Sequence, residues 1–187
     1  MDKRTRVKSA MDCLPVDHAP VGFWVHFFDK GIFGDACVKA HLDYYNALDL
    51  DFVKVMSDGY FGFPNGLKIE SVDDLYRMKP IEADHPWITD QVERAAAIVD
   101  KLGGERMIFF NIFNPFSSLK YGFTEDLIHC DEIIMQFVRE DKNAVKRALD
   151  IVVAGNALLC ELLVKKAGCD GIYYCVQNAE TDRFTKA

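Results

Sequence analysis

The sequence predicts an α/β fold with about four parallel strands and covering helices, and three observations carry that expectation. Short runs rich in apolar, β-branched or aromatic residues occur at Val21–Phe28, Phe52–Met56, Met107–Phe113 and Ile172–Val176. Longer stretches with helical periodicity lie between them. The runs are almost continuously apolar, which suits strands covered on both faces, as in parallel sheets.

The elements follow in order. The first run, Val21–Phe28, is read as a strand, and a helical stretch carries the chain to the second, Phe52–Met56. An irregular excursion comes next. Gly59 to Ile69 holds the turn residues Pro64-Asn65-Gly66 between two apolar arms and reads as a hairpin-like insertion. Ser71 precedes Val72–Met78, with Asp74 placed to complete a capping-box-like start. Pro86 suits the first turn of a helix over Trp87–Leu102, which Gly103-Gly104 stops. After the third strand, Met107–Phe113, one helical stretch spans about Thr124–Arg139. Asp141 then caps a long helix to Ala167, with Val145, Leu149, Val152, Leu159 and Leu163 as its apolar stripe, and Gly168 ends it. Ile172–Val176 is the fourth strand. Long helical crossovers between such strands make parallel pairing the economical arrangement. Four βα units are too few to close an eight-stranded barrel, which takes about 250 residues. The expectation is a single domain, 1–187, forming either an open sheet or part of a longer design.

Composition narrows the function classes. A formal charge of −7 argues against a general affinity for nucleic acid or an anionic membrane surface. Half of the residues are hydrophobic and no apolar run approaches the length of a membrane helix. The basic start, Met1 to Asp12, lacks the apolar core of a secretion signal, so a cytoplasmic location is expected. The six cysteines form no Cys-x-x-Cys pair and read as reduced, mostly buried side chains. His129-Cys130 are neighbours on one predicted helix and make a poor metal pair, so no metal site is assigned. Phosphate-cradling glycine motifs are missing as well.

Sites on parallel sheets form at the C-terminal strand ends. There the four predicted strands open into polar residues: His26 and Asp29; Ser57, Asp58 and Tyr60; Asn111, Asn114, Ser117, Ser118 and Tyr121; then Gln177, Asn178, Glu180, Asp182 and Arg183. Asp58 is the sharpest candidate. Its carboxylate, flanked by Tyr60 and Phe61, either holds pyrrole-type N–H groups or a cationic intermediate, or caps the following turn. Tyr121 either positions a substrate carboxylate or packs half-buried, and His26 is either an acid–base group or a hydrogen-bonded core residue.

Several short segments carry a family resemblance. Pro15-Val16-Asp17-His18-Ala19-Pro20-Val21 resembles the approach to the first strand in uroporphyrinogen-decarboxylase-like proteins. Asp51 to Asp58 is similar to that family's second strand, which ends in Ser-Asp with the catalytic aspartate. Asn114-Pro115-Phe116-Ser117-Ser118-Leu119-Lys120-Tyr121 looks like its segment carrying the active-site tyrosine, and Ala167-Gly168-Cys169-Asp170-Gly171-Ile172-Tyr173 like its fourth strand. The resemblance implies the N-terminal half of a (β/α)8-type barrel, with strands beyond the fourth outside the chain. It implies Asp58 and Tyr121 as catalytic residues of a carboxy-lyase acting on a tetrapyrrole. His26, Tyr60, Asn111, Asn114, Ser117 and Gln177 are then its substrate-binding residues, and no cofactor is required. The family's arginines after strand one have no counterpart in Phe23 to Lys30. That departure suits a second branch of the same superfamily, methyltransferases that use a corrinoid carrier and a zinc ion, whose zinc ligands would lie outside this chain. A third reading is an inert half-barrel that associates with itself or with a missing C-terminal half.

Overall fold

The computed structural model describes residues 1–124, 126 and 129–177, apart from the side chains of residues 30 and 31. Asn178, Glu180, Asp182 and Arg183 lie outside the described residues, as does part of the start of the helix expected from Thr124.

Three parallel strands form one sheet: β1 (Phe52–Val55), β2 (Met107–Phe113) and β3 (Gly171–Cys175), neighbours in sequence order. Phe52 pairs with Met107 and Val55 with Phe110, and Phe109 pairs with Gly171 and Phe113 with Cys175. Six α-helices accompany them among the described residues: α1 (Lys3–Met11), α2 (Gly34–Ala47), α3 (Pro86–Leu102), α4 (Pro115–Tyr121), α5 (Cys130–Glu140) and α6 (Lys142–Lys165). The α/β class and the second, third and fourth predicted strands match this architecture.

Local signals account for the helix ends. Pro86 occupies the first turn of α3, where its missing N–H is no loss. The Asp141 carboxylate accepts the N–H groups of Asn143 and Ala144 at 2.9 and 3.3 Å and so starts α6. Asp74 takes the N–H groups of Glu70 and Ser71, both at 2.9 Å, at the head of a 3-10 turn over Val72–Arg77. The core lies on one face of the sheet. Val53, Val55, Ile108, Phe110 and Ile112 are buried there with Ile88, Val92, Ala95 and Ile98 of α3 and Val145, Val152, Leu159 and Leu163 of α6. By the alternation of side chains along a strand, the other face carries Phe52, Lys54, Phe109, Asn111, Phe113, Tyr173 and Cys175.

Two expectations are corrected. The run Val21–Phe28 joins no β ladder, so the sheet has three strands among the described residues. The reason lies at the outer edge of β1, where side chains occupy the backbone groups that a further strand would use. Cys37, His41 and Tyr45 recur every fourth residue on one buried face of α2. The Tyr45 hydroxyl accepts the Lys54 N–H at 2.9 Å and donates to the Lys54 carbonyl at 3.0 Å. His41 Nε2 accepts the Met56 N–H at 3.0 Å, and Arg94 of α3 donates to the Met56 carbonyl at 2.9 Å. Val21 still meets Asp51, whose N–H donates to the Val21 carbonyl at 2.8 Å. Beyond it, the segment is held by side chains. Buried Arg6 of α1 supports this start by binding Asp51 at 2.5 Å and Asp17 at 2.7 Å.

The second correction concerns the excursion Gly59 to Ile69. Its turn is present, with Gly66 at φ +67°, but its arms form no strands. The Phe63 N–H donates instead to the Ser118 carbonyl at 2.8 Å, and Asn65 Nδ2 to the Gly122 carbonyl at 2.8 Å. Gly62 permits this close approach, because a Cβ there would lie 2.5 Å from the Tyr121 carbonyl oxygen.

Candidate functional site

Asp58 stands just beyond β1 and is 2% exposed. Arg94 donates to its carbonyl at 3.2 Å and to the Ile32 carbonyl at 2.5 Å, which fixes the strand end from behind. The following turn closes through its backbone, with the Tyr60 N–H donating to the Ser57 carbonyl at 2.9 Å. The Asp58 carboxylate is engaged elsewhere. Oδ1 lies 2.7 Å from His26 Nδ1, and Oδ2 accepts the Phe27 N–H at 2.8 Å. Because a carboxylate accepts, His26 donates to it through Nδ1. The His26 side chain is half exposed, so it reaches from a buried carboxylate toward solvent.

A second cluster forms where α4 meets β3. Asn114 caps α4 by accepting the Ser117 N–H at 2.9 Å and donates through Nδ2 to the Gln177 carbonyl at 2.9 Å. The Gln177 side-chain oxygen accepts from the Tyr121 hydroxyl at 2.5 Å and from Ser117 Oγ at 3.4 Å. Burial pushes the Tyr121 phenol above its ordinary pKa, which keeps it a hydrogen-bond donor. The Phe61 ring separates the clusters, edge-on to His26 at 5.9 Å, 5.4 Å from Phe113 and 6.5 Å from Tyr121. Asp58 and Tyr121 thus share one end of the sheet, divided by an aromatic partition.

Between them, on the face away from the core, lies a polar line. Asn111 donates to Ser57 Oγ at 2.8 Å and accepts from Cys175 Sγ at 2.8 Å. The Lys54 Nζ is 3.8 Å from that sulfur and sits over the rings of Trp24 and Tyr173 at 4.0 and 4.2 Å. Burial pulls the Lys54 ammonium below its ordinary pKa. Lys54, Cys175 and Arg94 are not among the residues singled out from the sequence. A lysine inside an otherwise apolar strand is the signal that identifies the first of them.

Neither a protein-family model nor a curated protein sequence matches this chain.

Of the expected site residues, His26 joins Asp58, while Asn114, Ser117, Tyr121 and Gln177 gather together, and Asn111 lies between the groups. Tyr60 does not join them. Its hydroxyl donates to Asp90 of α3 at 2.9 Å and its ring packs on Arg94 at 4.9 Å, on the helical side of the strand end. Burial and the neighbouring Asp90 push its phenol up to about 12. Among the described residues no three His, Cys, Asp or Glu side chains gather as metal ligands, and no helix is long and apolar enough to cross a membrane. The arrangement offers a buried carboxylate backed by an imidazole, a phenol and amide for orienting a polar ligand, and an aromatic wall to exclude water.

Proposed function

We propose that this chain belongs to an enzyme of the uroporphyrinogen decarboxylase superfamily, with its three-stranded sheet forming part of a (β/α)8-type barrel that handles a tetrapyrrole. The observation that carries the reading is Asp58, a buried carboxylate at a parallel strand end, bonded to His26 and to the Phe27 N–H. The sequential strand order β1-β2-β3 supports the barrel. In the proposed reaction, protonation of a pyrrole ring creates cationic character that Asp58 stabilises. The bond from the acetate methylene to its carboxyl carbon then breaks, CO2 leaves, and the bonding pair neutralises the ring as an exocyclic double bond. The methylene carbon takes up a proton to become a methyl group, and the ring releases the proton it first accepted. His26 orients Asp58, and the Tyr121–Gln177 pair positions a second part of the ring system.

Incubation with uroporphyrinogen under reducing conditions, followed by chromatography, tests this reading. Coproporphyrinogen is the expected product with the wild-type chain, and its formation should collapse with Asp58→Asn. No turnover by the wild-type chain removes the reading.

Exposed apolar side chains favour a second reading, in which the half-barrel assembles with a copy of itself. Phe23 and Phe28 are 62% and 76% exposed beside β1, and Tyr174 and Val176 are 53% and 62% exposed at β3. Light scattering that returns twice the 21.2 kDa chain mass is the expected result, and a clean monomer counts against it.

A further inference from the structure

Among the described residues Lys54 is the one strand cation on the sheet face away from the core, and its surroundings leave its charge incompletely balanced. The residue is 4% exposed. Two aromatic faces, Trp24 and Tyr173, lie within 4.2 Å of Nζ, and the Cys175 sulfur at 3.8 Å is its hydrogen-bonding neighbour. Among the described residues no carboxylate stands within ion-pairing distance of it. A buried ammonium is costly unless paired. Ring faces offset part of that cost, while a thiol is a weak acceptor at this distance.

We propose that Lys54 anchors a carboxylate group of the ligand, with Asn111 beside it and Trp24 over it. The proposal rests on the reading above for where the ligand enters and goes further in naming the cation that receives it. A carboxylate oxygen at about 2.8 Å from Nζ replaces a long contact to sulfur with a charge-assisted hydrogen bond. Access runs past Trp24, which is 43% exposed and lies on the segment that joins no β ladder. From Lys54 the polar line through Cys175 and Asn111 reaches Ser57, the residue before Asp58. A ligand held at Lys54 by one carboxylate therefore extends toward the rim. The charge of an arriving anion opposes the desolvation that pulls the Lys54 ammonium down.

The probes are benzoate, its neutral analogue benzamide, and porphobilinogen, a monopyrrole with two carboxylates, each titrated into the chain by calorimetry. Benzoate or porphobilinogen should bind, benzamide should bind about tenfold or more weakly, Lys54→Met should lose about tenfold or more, and Lys54→Arg should retain most of the affinity. Acetylation of Lys54 in the wild-type chain, followed by mass spectrometry, provides a readout that needs no variant. Saturating carboxylate should slow it. Equal binding by benzoate and benzamide, carboxylate binding unchanged in Lys54→Met, an unaltered acetylation rate, or no carboxylate binding at all each overturns the proposal. Lys54-dependent binding of benzoate without any binding of porphobilinogen supports the anchor and removes the tetrapyrrole reading. Porphobilinogen binding that ignores Lys54→Met does the reverse.

Discussion

His41 ties the site's stability to pH. It is fully buried, donates through Nδ1 to the Cys37 carbonyl at 2.8 Å and accepts the Met56 N–H at Nε2. Both ring nitrogens are thus committed to the neutral form, and a second proton would set two donors against each other at Met56. Desolvation is the main cause that lowers its pKa from 6.5 to about 4, with the Cys37 carbonyl and Asp58 opposing and Arg94 assisting. Between these two values the unfolded chain binds the extra proton and the folded chain does not, so stability rises with pH. The contribution is complete above about pH 6.5 and lost by about pH 4. At about 1.36 kcal/mol per pH unit, it amounts to roughly 3 kcal/mol. Urea denaturation of the wild type and of His41→Gln, at steps from pH 7 to pH 4, measures it. The wild type should lose about 3 kcal/mol more than the variant over that interval, after the carboxylates common to both have cancelled. Parallel curves, or an NMR titration that puts His41 near 6.5, refute the reasoning.

Tyr45→Phe removes the oxygen that serves both Lys54 backbone groups, and an unfolding free energy lower by about 1–3 kcal/mol should follow in urea titrations. Gly62→Ala forces a methyl group against the Tyr121 carbonyl and should cost about 1–3 kcal/mol. Because Trp87 Nε1 donates to the Gly62 carbonyl at 3.0 Å, its fluorescence should report that shift. Asp58→Asn should leave the far-ultraviolet circular dichroism unchanged while lowering the proposed decarboxylation about 10²–10⁴-fold, read by product chromatography.

The parts of the fold that were legible in the sequence are those set by local signals. Pro86, Asp141 and the Ser71–Asp74 pair start their helical turns where their side chains require, and three apolar runs become the sheet. The run Val21–Phe28 carries the same strand pattern, yet competition for the β1 edge comes from Tyr45, His41 and Arg94. Nothing within Val21–Phe28 announces them. The excursion misleads for a similar reason, since Phe63 of its first arm and Asn65 of its turn bond to α4 and its cap. At the site, the rule of strand ends brought in His26, Asp58, Asn111, Tyr121 and Gln177. It also brought in Tyr60, which turns to α3, and it passed over Lys54, which sits inside its strand.

The side-chain sealing of β1 also bears on how copies of this protein behave at high concentration. An open strand edge offers a template on which a neighbouring molecule can add its own strand and begin a fibril. Here a phenol, an imidazole and a guanidinium already hold the hydrogen-bonding positions at Lys54 and Met56. The chain thereby guards itself against intermolecular stacking on that side without a proline or a surface charge.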